Sequence, residues 1–151
     1  MFFIRSIDCD IVDMITRLIK KNMKGYIVNI EDETKDNTDY RRVLYTSKHS
    51  QLVVMSIEPG EEIGEEVHEL DQFIRIEKGK AKAVLNKTEE YELKDDWAVV
   101  IPAGVWHNVI NVGDEPLKIY TIYSPPEHKD GVVQKTKADE TEEHFDGVTT
   151  E

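Results

Sequence analysis

The spacing of apolar residues along this chain changes at Gly25. Upstream, Ile11, Met14, Ile15, Leu18 and Ile19 recur every three or four residues, which puts them on one face of a helix over residues 11–24. Asp10 stands where a carboxylate caps the first turn, and Gly25 stands where helices end in a left-handed residue. Lys20, Lys21 and Lys24 fall in the last turn, against the negative end of the helix dipole. The apolar stripe needs a cover, from the rest of the chain or from a partner subunit.

Downstream of Gly25 the pattern is one of short β-rich runs at 26–30, 42–46, 51–58, 73–77, 80–85, 91–93, 97–101, 106–111 and 117–123. Turn signals separate them, among them Pro59-Gly60, Lys78-Gly79, Asn86-Lys87, Asp95-Asp96, Pro102-Ala103-Gly104 and Gly113-Asp114. Short strands at this spacing predict a mainly β fold, an antiparallel barrel or jelly roll, with one N-terminal α-helix. The polar segment 31–39 is expected to be a loop. We therefore divide the chain into a helical extension (1–25), a β-barrel (26–134) and an acidic C-terminal tail (135–151), the last being solvated or a strip lying on the surface.

Composition narrows the function. With 151 residues the chain suits one domain. Its 31 acidic residues against 19 basic ones give a net charge of −12, a field that disfavours general binding to nucleic acid or to anionic membranes. Cys9 is the single cysteine, so no intramolecular disulfide forms. No apolar run reaches the roughly 20 residues that span a bilayer, and the first residues lack the order of a signal peptide, so a cytoplasmic location is expected.

The candidate chemistry lies between Gly60 and Asn111. Glu66 and His68 project to the same side of an extended chain, because side chains alternate with a period of two. A short turn brings Gln72 onto the next strand, and the Pro102-Ala103-Gly104 turn delivers His107 and Asn111 onto one face of another. Glu66, His68, Gln72 and His107 together offer carboxylate, imidazole and amide donors to one divalent ion. This mixed set leaves Mn, Fe, Zn and Ni open. The competing reading is a hydrogen-bonded polar cluster without metal. Val53, Met55, Ile74, Ile76 and Val109 are the expected walls of a ligand pocket. Arg41, Arg42 and Lys48 form a small basic cluster, read as a solvated turn or as an anion contact at the barrel mouth. His49, His128 and His144 are not assigned to the site.

These residues resemble the cupin superfamily. Its first motif runs Gly, five residues, His-x-His, three or four residues, Glu, six residues, Gly. Gly60, Glu66-Val67-His68, Gln72 and Gly79 reproduce every spacing. Its second motif ends Pro-x-Gly-x-x-His-x-x-x-Asn, matched by Pro102, Gly104, His107 and Asn111. Glu66 replaces the usual first His, Gln72 the usual Glu, and Asp96 the usual opening Gly. The resemblance covers roughly residues 51–123. It implies a double-stranded β-helix, the cupin barrel, with its metal on the four named residues. The chain is also similar to small single-domain (cupin type 2) proteins, labelled mannose-6-phosphate isomerase-like, that share Glu-Val-His, Asp-Gln-Phe and Tyr-Ser-Pro-Pro-Glu-His, here residues 123–128.

Three functions follow as alternatives. The first is a metal-dependent enzyme on a small polar molecule, such as a sugar isomerase or epimerase, a lyase or a dioxygenase, with Glu69, Asp71 or His49 as candidate bases. The second is a non-catalytic module that binds a small molecule or metal, and the third a structural dimer with a lapsed pocket. A homodimer is expected in each, because edge strands and the helix stripe need protection.

Overall fold

In a computed structural model of the protein, the described residues are 25–151 together with Ile11, Met14 and Ile15. Those three are helical and about half exposed, at 47%, 54% and 45%. Asp10, Cys9 and the remainder of the predicted helix lie outside the described residues.

Alternation of side chains builds the larger sheet. Its strands are β1 (Arg41–Thr46), β2 (Gln51–Ile57), β3 (Asp71–Lys78), β6 (Ala98–Ile101), β8 (Leu117–Ser124) and β9 (Val133–Gln134). They lie in the order β6-β3-β8-β2-β1-β9, every pair antiparallel. A second sheet, in the order β5-β4-β7, contains β4 (Lys80–Leu85), β5 (Glu89–Lys94) and β7 (His107–Asn111). Val53, Met55, Ile74, Ile76 and Ile119 of the first sheet share one core with Ala81, Ala83, Leu93 and Val109 of the second. Two antiparallel sheets closed over a common core are the double-stranded β-helix.

Register grades the interior from apolar to polar. Met55 and Ile76 both lie opposite Ile119, Val53 and Ile74 opposite Thr121, and Gln51 and Gln72 opposite Tyr123. All are buried. The hydrophobic effect fills the first two rows, and the third carries the polar groups that a functional site needs.

Two expectations are corrected. Residues 26–30 form no strand, and 31–39 is not all loop: helix α1 spans Ile30–Asp36. The Asn29 side chain caps it by accepting from Asp32 N at 3.3 Å, and the Thr34 hydroxyl donates to the Ile30 carbonyl at 2.6 Å. A polar, acidic first turn suits a helix N-terminus as well as it suits a loop. The C-terminal segment, of whose two expected forms one was a surface strip, is mostly exposed and lies along the barrel. Tyr40 N donates to Lys135 O (3.2 Å), Lys129 N to Glu143 O (3.0 Å), Phe145 N to Glu127 O (2.8 Å) and Thr150 N to Thr46 O (2.9 Å). Trp97 and Trp106 are 51% and 38% exposed on the free chain.

Candidate metal centre

The two motif halves are tied together through their backbones. Glu66 N donates to His107 O and His107 N to Glu66 O, both at 2.9 Å, so this pair is directly cross-strand. Gly104, with φ +84°, donates to the His68 carbonyl at 2.8 Å, and Ala103 N donates to Asp71 Oδ1 at 3.0 Å. The proline turn is thus braced on both sides of the first motif. Asn111 plays a structural part: its amide donates to the carbonyls of Ile57 and Glu115, each at 2.8 Å, and its Oδ1 accepts from Gly113 N.

Ligand atoms of Glu66, His68 and His107 lie within 4.8 Å of one another. Glu66 Oε1 is 3.2 Å from His68 Nε2 and 3.3 Å from His107 Nε2, yet neither nitrogen meets it with hydrogen-bond geometry. His107 Nδ1 sits 2.9 Å from the Val105 carbonyl, which can only accept, so Nδ1 carries the proton and a neutral ring turns its Nε2 lone pair inward. Gln72 donates Nε2 to Thr121 Oγ1 at 3.0 Å, which leaves Oε1 buried and without a partner. His107 Nε2 and Gln72 Oε1 are thus buried acceptors without a partner among the described residues, and His68 Nε2 is buried without a hydrogen bond beside the Glu66 carboxylate. That arrangement is costly unless a cation sits among them.

Electrostatics agree. Burial alone raises the Glu66 carboxyl, but contact with His107 and His68 outweighs it and holds the group down at about 2. Burial lowers His68, and Glu66 with help from Glu127 more than offsets this, leaving its pKa raised. Glu127 Oε2 lies 3.7 Å from His68 Nδ1 and its Oε1 lies 3.0 Å from His144 Nδ1, so a second carboxylate stands behind the first histidine.

A cavity of about 220 Å³ opens at this cluster, lined by Glu66 and His68 together with Arg41, Glu127, His128, Glu140 and His144. The expected apolar walls do not line it. Val53, Met55, Ile74, Ile76 and Val109 are 0–1% exposed and belong to the core. Among the described residues that line the cavity there is none of the candidate bases Glu69, Asp71 and His49. Conversely His128 and His144, left out of the site on sequence grounds, stand in its wall, as does Arg41 of the basic cluster. The signal for His128 was its place in the Tyr-Ser-Pro-Pro-Glu-His run. For Arg41 it was one buried phase of a strand, since Arg41 is 4% exposed while its neighbour Arg42 is exposed.

Comparison with known proteins identifies the family and the fold. Residues 53–123 match the cupin domain. A crystal structure of BH2720 from Bacillus halodurans is 48% identical with a TM-score of 0.76, covering 78% of this chain and 94% of that one. The uncharacterized protein YrkC of Bacillus subtilis is 48% identical over 77% of this chain and 66% of its own length. The uncharacterized protein L612 of Acanthamoeba polyphaga mimivirus is 47% identical over 77% of this chain and 75% of its own. KdgF from Halomonas, at 20% identity and a TM-score of 0.57, shares the fold alone. The chain belongs to the cupin superfamily.

Proposed function

We propose that this protein is a metal-dependent cupin that binds a small polar molecule on one divalent ion held by Glu66, His68, Gln72 and His107. The observation that carries the reading is that ligand atoms of Glu66, His68 and His107 converge within 4.8 Å, while His68 Nε2, His107 Nε2 and Gln72 Oε1 are buried without a hydrogen-bond partner among the described residues. Imidazole, carboxylate and amide donors fit Mn, Fe, Zn or Ni. Four protein ligands leave two positions of an octahedral shell for the small molecule. A bound ion would supply Lewis-acid polarisation of that ligand, the requirement shared by isomerase-like, epimerase-like and dioxygenase-like chemistry.

The chain's own part is to position. Val105 holds the His107 tautomer, Thr121 holds the Gln72 amide, and Glu127 faces the outer nitrogen of His68. The alternative is a non-catalytic module on the same ion. It draws support from the cavity wall, in which the candidate bases are missing. The assembly proposed with either reading is a homodimer.

Metal analysis of protein purified without chelator tests the proposal. We expect one ion per chain, and His107→Ala to lose most of it. Wild-type metal content in that variant would sink the ligand assignment.

A further inference from the structure

Arg41 remains unused by this account. It belongs to the basic cluster of the sequence, yet its side chain is 4% exposed and lines the same cavity as Glu66 and His68. Burying a guanidinium is costly, and the side chain is retained at such a place only with partners. Its Nη1 donates to Gln134 Oε1 at 2.8 Å and meets Glu140 Oε2 at 3.1 Å. Nε is buried and has no hydrogen-bond partner. A guanidinium grips a carboxylate best through two parallel N–H groups, and here part of the fork is idle.

What Glu140 does is informative. It lies on the C-terminal strip, just past the 3-10 turn at Lys137–Asp139, and projects a carboxylate onto Arg41 at the cavity wall. It is also held by the Tyr40 hydroxyl at 2.8 Å and by Lys137 Nζ at 3.2 Å, so it keeps two partners if Arg41 turns to another anion. Arg41 is the only Lys or Arg among the described residues of the cavity wall, against Glu66, Glu127, Glu140, Glu142 and Glu143. Such a wall tolerates one further negative charge beside Arg41 better than the two of a phosphate. The volume of about 220 Å³ is below the roughly 300–1,000 Å³ of drug-sized sites, so the occupant is a small metabolite.

We infer that Arg41 is the anchor for a carboxylate of the small molecule that sits on the metal, at the place where Glu140 now meets the guanidinium. This rests on the metal-centre reading and adds a substrate class: small acids with a chelating head at the ion and a second carboxylate at Arg41.

Calorimetric titration of metal-loaded and metal-free protein tests it with two matched pairs of hydroxy acids. Malate and 2-hydroxyglutarate carry the remote carboxylate, whereas 2-hydroxybutyrate and 2-hydroxyvalerate replace it with a methyl group. Metal-loaded protein should bind at least one diacid tenfold or more tightly than its partner. Arg41→Gln should abolish that preference while metal content stays at the wild-type level. Glu140→Gln should tighten the diacid at least threefold, because it removes the competing charge. Equal affinities within both pairs in protein that holds its metal overturn the inference and leave the metal centre standing. Displacement of the diacid by millimolar inorganic phosphate would overturn the choice of carboxylate. If Arg41→Gln fails to fold, Glu140→Gln decides, and an unchanged diacid affinity counts against the anchor. If the chain binds no metal, the metal-centre reading falls. The metal-free titration then decides alone: a diacid preference lost in Arg41→Gln keeps the anchor, and no preference ends it.

Discussion

His128 keeps a neutral ring inside the cavity wall. Burial pushes its pKa down to about 3, the Arg41 cation acts in the same direction, and the Glu66 carboxylate opposes both. In the unfolded chain the ring titrates near 6.5, so below that pH the unfolded state takes up a proton that the folded state refuses. Stability is therefore full above about 6.5 and falls as pH drops toward 3. Each pH unit in this window costs about 1.4 kcal/mol, or about 2 kcal/mol by pH 5. Glu66, depressed to about 2, acts in the same sense but below the ordinary carboxylate value of 4.5, and His68, raised, acts in the opposite sense. His128→Phe separates the terms, because it keeps the edge contact with Tyr123 and the reciprocal pair of bonds between the Gln51 amide and the backbone of residue 128. Urea denaturation of metal-free protein should show the wild type losing about 2 kcal/mol more than this variant between pH 6.5 and pH 5. Parallel losses would show that His128 protonates freely in the folded state.

Strands and turns divide the work differently. The runs read from the sequence at 42–46, 51–58, 73–77, 80–85, 91–93, 97–101, 106–111 and 117–123 all became strands, because alternation and β-branched content act locally. Residues 26–30 broke the pattern because Asn29 caps a helix, a competition that side-chain capping wins where no partner strand is available. The motif glycines are turn devices of two kinds. Gly60 and Gly79 have φ of +80° and +113°, but a Cβ on Gly60 meets nothing within 4 Å, whereas one on Gly79 comes within 3.3 Å of Leu117 Cα. Gly60→Ala should cost about 1 kcal/mol of backbone strain. Gly79→Ala should cost about 1–2 kcal/mol more, since the Leu117 backbone is held in β8 and cannot yield. Chemical denaturation of the two variants checks the order, and equal losses would mean that the β8 backbone gives way.

For the molecule as a whole, two of the sheet ends among the described residues carry exposed apolar side chains. β5 and β6 each end a sheet, and Tyr91, Trp97 and Val100 on and beside them are 50%, 51% and 65% exposed. Unpaired edges with exposed aromatic residues favour association. Light scattering at micromolar concentration should therefore return about twice the 17.5 kDa chain mass. A mass of one chain would rule the homodimer out. The C-terminal strip works at this scale as well, since it brings Glu140 and His144 to a cavity built by residues far earlier in the chain.

The sequence by itself determined what depends on neighbours a few residues apart. Period-two spacing placed Glu66 with His68, turn chemistry placed Pro102 before His107, and motif spacing named the barrel; Asp96 adopts the left-handed φ of +71° in place of the usual glycine. It could not decide which inward residues border the cavity and which fill the core. Val53, Met55 and Ile74 share the inward face of Gln51 and Gln72, and only the register of β2, β3 and β8 sorts them into dry and polar rows. Nor could it seat Arg41, His128 and Glu140 together, for their meeting depends on β9 pairing with β1 and on the strip crossing the barrel. Contacts between residues about 100 positions apart leave no local pattern to read, because they are set by how surfaces pack after the strands have formed.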